Sequence, residues 1–133
     1  MDEITIRVET QINFTEAEEK VKQAIANVFG DIPIVIKPAY KGCVLTAEAK
    51  GREALVRLQT LLRSDRIRDA ARRAFYRGIR GQSISFCLNK QVVFVGHVSF
   101  SEEVAESPLG PIRVTIECEN PRELVDWLAP RTA

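Results

Sequence analysis

Polar and apolar residues alternate over residues 3–10, with Ile4, Ile6 and Val8 on one side and Arg7 and Glu9 on the other. That period of two predicts a half-buried strand. A helical period follows. Thr15 with Glu18 three residues on spells a capping box, and Ala17, Val21, Ala24, Ile25 and Val28 recur at three- and four-residue spacing until Gly30. Residues 32–37 and 43–49 read as two arms of a hairpin joined through Pro38-Ala39-Tyr40-Lys41-Gly42. Pro33 cannot donate a ladder bond, so it places the first arm at a sheet edge.

Gly51 opens a long helical region whose first stripe is Ala54, Leu55, Leu58, Leu61 and Leu62. Ser64 offers a new N-cap with Asp65 in the first turn, which divides the region into two helices. The second helix carries Ile67, Ala70, Ala71, Ala74 and Phe75 and closes at Gly78. Residues 82–88 alternate again, with Ile84, Phe86 and Leu88 inward. A tight turn at Asn89-Lys90 then leads into a predicted strand over residues 92–100, where Val92, Phe94, Val98 and Phe100 share a face with Gly96. The missing side chain at Gly96 predicts that a helix or neighbouring backbone approaches there.

After an acidic stretch with Glu102, Glu103 and Glu106, two prolines flank a glycine in Ser107-Pro108-Leu109-Gly110-Pro111, a loop with pre-set backbone angles. Ile112, Val114 and Ile116 alternate as a further strand. Asn120 caps a last helix with Pro121 at its first position, Leu124, Val125, Trp127 and Leu128 on its apolar face, and Pro130 beyond its end. The pattern predicts an α+β two-layer sandwich: a mostly antiparallel or mixed sheet of about six strands, with about four helices packed on one face. No repeat or linker interrupts it, so residues 1–133 read as a single domain.

Composition narrows the class. With 133 residues, 45% hydrophobic and 28% charged, the chain is an ordinary globular sequence rather than a disordered one. No apolar run approaches the roughly 20 residues that cross a bilayer, and the acidic start Met1-Asp2-Glu3 does not read as a signal peptide. A soluble cytoplasmic domain with no membrane role is therefore predicted. Cys43, Cys87 and Cys118 form no CxxC pair and read as small thiols in a reducing compartment. His97 is the only histidine, and no GxSxG elbow is present. Neither a catalytic constellation, nor a metal set, nor a cofactor motif emerges.

Charge changes the picture more. The net charge is +1, yet residues 52–90 hold ten basic residues against Glu53, Asp65 and Asp69, a local +7 set against −6 elsewhere. Arg66, Arg73, Arg77 and Arg80 fall near one stripe of a 3.6-residue helix, opposite the alanine-rich face. Arginine's planar fork suits phosphate oxygens. Tyr76 adds a candidate stacking surface, and Lys90, at a predicted hairpin tip, a further backbone contact. These six residues are the candidate RNA-binding set. The competing reading is a solvated or ion-paired face, with Asp65 and Asp69 neutralising part of the charge.

Gly78-Ile79-Arg80-Gly81 has the GxxG spelling of a backbone clamp, but helix termination at Gly78 explains it more simply. A rival from another class is a protein-interaction module, in which an open sheet face or edge pairs two subunits as a homodimer. An enzyme acting on a phosphorylated small molecule would need Arg80, His97 and a carboxylate to converge on a pocket.

The chain also resembles an archaeal protein family of predicted RNA-binding domains whose activity is uncharacterised. The matching stretches are Ile67-Arg68-Asp69-Ala70-Ala71-Arg72, Phe86-Cys87-Leu88-Asn89-Lys90-Gln91 and Val95-Gly96-His97-Val98-Ser99-Phe100. Glu106-Ser107-Pro108-Leu109-Gly110-Pro111-Ile112 and Asp126-Trp127-Leu128-Ala129-Pro130-Arg131-Thr132 complete them. The resemblance implies a two-layer α+β fold similar to the large-subunit ribosomal protein that holds 5S rRNA, in an archaeal cytoplasm. It implies no catalytic residue.

Overall fold

The alternation at the start of the chain becomes β1 (Thr5–Asn13), which sends Ile6, Val8, Thr10 and Ile12 into the core while Arg7, Glu9 and Gln11 face solvent. The computed structural model describes residues 3–40, 42–101 and 110–131. After β1 come α1 (Glu18–Phe29), the hairpin of β2 (Ile34–Ala39) and β3 (Gly42–Lys50), and a 3₁₀ turn (Arg52–Leu55). Two helices follow, α2 (Val56–Ser64) and α3 (Arg68–Arg77), then β4 (Ile79–Arg80), β5 (Ser83–Leu88), α4 (Lys90–Phe94) and β6 (Phe100–Ser101). The chain closes with β7 (Ile112–Glu117) and α5 (Pro121–Leu128).

Among the described residues the strands form one seven-stranded sheet in the order β2-β3-β1-β7-β5-β4, with β6 also paired to β5. Every pairing is antiparallel. Ile6, Val114, Ile116, Ile84 and Leu45 from the sheet meet Ile25, Leu58, Leu62, Phe75 and Leu124 from the helices in a single core. The other sheet face stays open, so the expected two-layer sandwich is the architecture found. β2 is an outer strand, which fits Pro33 just before it and Pro38 within it. Asn120 caps α5 by accepting from the Glu123 amide at 3.3 Å, with Pro121 at the first turn.

Four local expectations are overturned. Thr15 and Glu18 do not form a capping box: Ala17 occupies the N-cap without a side-chain bond. Instead Glu16 turns inward and its Oε1 accepts from the Asn13 amide at 3.0 Å and from Asn13 Nδ2 at 2.8 Å. Ser64 does not start a helix but ends α2, and Ile67 precedes α3. The carboxylate of Asp65 is taken by the Val98 amide and by His97 Nδ1, both at 3.0 Å. The predicted strand over residues 92–100 is instead α4, a turn and the two-residue β6, because the Asn89 side chain accepts from the Val92 amide and caps a helix there. Among the described residues nothing lies within 4 Å of the Cβ that Gly96 lacks; its φ of +84° is what requires glycine after α4. The close approach falls at Gly78, where a Cβ would stand 1.8 Å from the Ser85 carbonyl oxygen. In the 107–111 loop, the first three residues, like Glu102, Glu103 and Glu106, lie outside the described residues; the Pro111 carbonyl accepts from Thr10 Oγ1 at 3.1 Å.

Candidate nucleic-acid interface

Helix α3 is anchored by its apolar side. Ala71 and Phe75 are fully buried, and Phe75 packs edge-to-face on Phe86 and Phe100 with ring centroids 4.9 and 5.5 Å apart. This fixes which way the arginines face. Arg72 is drawn inward, where its Nη1 donates to Asp126 Oδ1 and to the Ala129 carbonyl, both at 2.9 Å. It thereby ties α3 to α5 and acts as structure. Arg73 and Arg77, one turn apart, are left exposed. Among the described residues neither has a carboxylate within ion-pair distance.

The predicted stripe is broken rather than continuous. Arg66 is exposed in the link before α3 and holds a left-handed φ of 57°. Arg80 lies on β4, and its Nη1 donates to the carbonyls of Arg77 at 3.0 Å and Ile79 at 2.8 Å. Tyr76 is half-buried. The guanidinium carbons of Arg72 and Arg122 stand 5.4 and 5.8 Å from its ring centroid, so its aromatic surface is already engaged by two cations. Arg122, exposed on α5, adds a charge that lay outside the basic segment of the sequence.

Lys90 does not sit on a hairpin tip. It is fully buried, with Nζ 2.6 Å from the Gln11 carbonyl and 3.1 Å from Glu16 Oε1. Burial holds its ammonium below the ordinary lysine range, against the opposing pull of the Glu16 hydrogen bond and charge. A side chain so enclosed reaches no phosphate, and Lys90 leaves the candidate set. Its α4 position explains the misreading, because Asn89-Lys90 is a helix start and not a turn.

The open sheet face is also charged, and several of its charges are paired. Arg7 contacts Glu117 and lies 3.7 Å from Glu48, while Arg113 Nη1 lies 3.6 Å from Glu9 Oε1. Ion pairs of the kind the sequence raised are thus present on the sheet face. Asp65, expected to neutralise nearby arginine, pairs with His97.

Where α3 meets the sheet, a cleft of about 630 Å³ opens, lined by Arg77, Arg80, Arg113, Ser85, Ser101 and Thr115. Among the described residues no carboxylate and no histidine lines it. Arg113 escaped the sequence reading because it stands outside the basic segment. The alternation of Ile112, Val114 and Ile116 would have placed it on the open face beside Thr115.

A family model described as RNA binding matches residues 5–118 of the chain. The UPF0201 protein of Pyrobaculum islandicum is 41% identical over 128 residues, covering 96% of this chain and 90% of its own. That of Sulfolobus acidocaldarius is 43% identical over 126 residues, covering 95% and 87%. Among solved structures, the UPF0201 protein from Methanococcus jannaschii superposes with a TM-score of 0.85 at 28% identity, over 97% of this chain and 95% of that one.

Proposed function

The chain belongs to the archaeal UPF0201 family, and from that membership and the arginine geometry we propose a non-enzymatic domain that binds RNA through its phosphate backbone. One observation carries the reading: Arg73 and Arg77 are exposed and without a carboxylate partner among the described residues, whereas Arg7, Arg72, Lys90 and Arg113 all have one. Unpaired guanidinium groups on a rigid helix are preorganised for phosphate oxygens. Arg66 and Arg80 extend the contact to either end of α3. Tyr76 stacks a base in this reading only after Arg122 leaves its ring. The likeness to the 5S-rRNA protein implied by the sequence would favour a structured RNA over a single strand, and both belong in the test.

Binding to total archaeal RNA and to a defined single strand is measured at 50 mM salt. Arg73→Glu with Arg77→Glu is expected to abolish it while the thermal melt stays unchanged. No binding by the unmodified protein, or an affinity indifferent to the two reversals, overturns the reading.

The second reading is a homodimer, favoured by β2 lying at the sheet edge with its own Val35 exposed on the open face. A dimer on a sizing column that survives high salt supports it, and the two readings are compatible.

A further inference from the structure

The cleft beside α3 has a feature that backbone tracking does not need. Among the described residues its charged lining is three arginines, joined by three hydroxyl side chains; Arg113 faces Glu9 at 3.6 Å while Arg77 and Arg80 have no carboxylate partner, which leaves +2. An internal phosphodiester brings one negative charge and two free oxygens. A terminal phosphate monoester brings three free oxygens and about −1.5 to −2 charges near neutral pH. The monoester is the better electrostatic match.

The shape argues the same way. On the free edge of β5, β4 pairs with Ser83 and Ile84, and β6 pairs with Cys87 and Leu88. Between them the edge is filled by Gly78, whose carbonyl accepts from the Ser85 amide at 3.0 Å, and the cleft runs from this end of α3 over β5 to Arg113 and Thr115 on β7. Residues of α3, β4 and β6 line it on the edge side of β5, which suits the end of a chain better than a chain passing through. Gly78 allows this closeness, for its amide segment packs directly on Ser85.

The guanidinium groups are available. Arg77 has no ion-pair partner among the described residues. Arg80 uses only Nη1 on carbonyls, leaving Nε and Nη2 to donate. The first of these bonds covers the Arg77 carbonyl oxygen at the C-terminus of α3, which would otherwise repel an anion. Arg113 holds Glu9 at 3.6 Å in an exposed pair, a contact weak enough to yield to a phosphate. Phe100 also lines the cleft and gives a terminal base an apolar surface.

The geometry points to this cleft as a site for the terminal phosphate of an RNA strand, with Arg77, Arg80 and Arg113 as its cationic ligands and Ser85, Ser101 and Thr115 as hydroxyl donors. It rests on the RNA-binding reading and adds end recognition to it.

The test uses one 12-nucleotide RNA sequence in three forms, with a 5′-phosphate, with a 3′-phosphate, and with hydroxyls at both ends, in fluorescence anisotropy at fixed salt. At least one phosphorylated form binds about ten-fold tighter than the hydroxyl-ended form, the size of a charge-assisted contact. In Arg113→Gln and in Thr115→Val that ratio falls towards one. In Arg73→Gln all three affinities drop and the ratio persists. Equal binding of the three forms overturns the end site while leaving backbone binding intact. Loss of all RNA binding would remove both readings. A free nucleoside monophosphate that binds as tightly as the RNA end would also overturn it, since the ligand would then be a small molecule.

Discussion

Two residues carry the sharpest local conflicts between environment and chemistry, Arg66 and Lys90. Arg66 is the residue past the end of α2, where the Ile67 amide reaches the Leu62 carbonyl at 3.1 Å and the Arg66 amide reaches that of Arg63 at 3.2 Å. These bonds form a Schellman motif, whose left-handed position ordinarily holds glycine. Arg66→Gly therefore raises stability by about 1 kcal/mol in denaturant unfolding. If the arginine is kept for phosphate, the same change weakens RNA binding; a loss of stability would show that the Arg66 side chain supports the fold instead. Lys90 presents the opposite case. Breaking its buried pair in Lys90→Met should cost roughly 3–5 kcal/mol, because the buried Glu16 is left without a counter-charge. Between the lowered folded pKa of Lys90 and its ordinary value of 10.5, the unfolded chain holds a proton that the folded chain does not. Stability thus rises with pH across that window relative to Lys90→Met. Unfolding curves measured from neutral pH upward check the sign, and a wild-type stability that falls against the variant would refute it.

At the scale of elements, the long periodic segments were legible and the short ones were not. β1, α1, the β2–β3 hairpin, β7 and α5 follow directly from their periods of two or 3.6, because burying one face is what those segments do. The stretch after Asn89 defeated that logic: α4 has only five residues and β6 two, too few for a period to show, and the polar cap decided the outcome. The glycines reveal the same limit, since sequence marks a glycine but not whether space or φ demands it. The structure separates the two. Gly78→Ala drives a Cβ into the Ser85 carbonyl and should cost about 3 kcal/mol or more, the upper range of overpacking. Gly96→Ala meets no described residue within 4 Å and should cost only about 1 kcal/mol for its positive φ. Thermal unfolding of the pair ranks them; a Gly96→Ala protein melting below Gly78→Ala would reverse the assignment. A clamp-like role for Gly78 predicts instead normal folding with lost RNA binding.

At the scale of the molecule, the question is whether a chain of net charge +1 presents one basic side. The +7 segment foretold the arginines of α3, but proximity in sequence overstated some members and hid others. Lys90 and Arg72 belong to the segment and are buried, while Arg113 and Arg122 lie outside it and stand beside the cleft and Tyr76. Sequence counts charge along the chain; the fold decides which charges find a carboxylate. Salt dependence reads that distinction directly, because each phosphate contact on single-stranded RNA contributes about −0.7 to the slope of log affinity against log salt. Four contacts from Arg66, Arg73, Arg77 and Arg80 give a slope near −2.8, roughly a fifty-fold loss between 50 and 200 mM. Removing two, in Arg73→Gln with Arg77→Gln, should halve the slope to about −1.4. Arg7→Gln removes one charge from the sheet face, already held by Glu48 and Glu117, and should leave the slope unchanged. A general field of positive charge would instead lower affinity with every arginine removed and would not tell the two faces apart. An Arg7→Gln slope that falls as far as a single α3 substitution would therefore mean that RNA meets the molecule by net charge, and that the helix face has no privileged role.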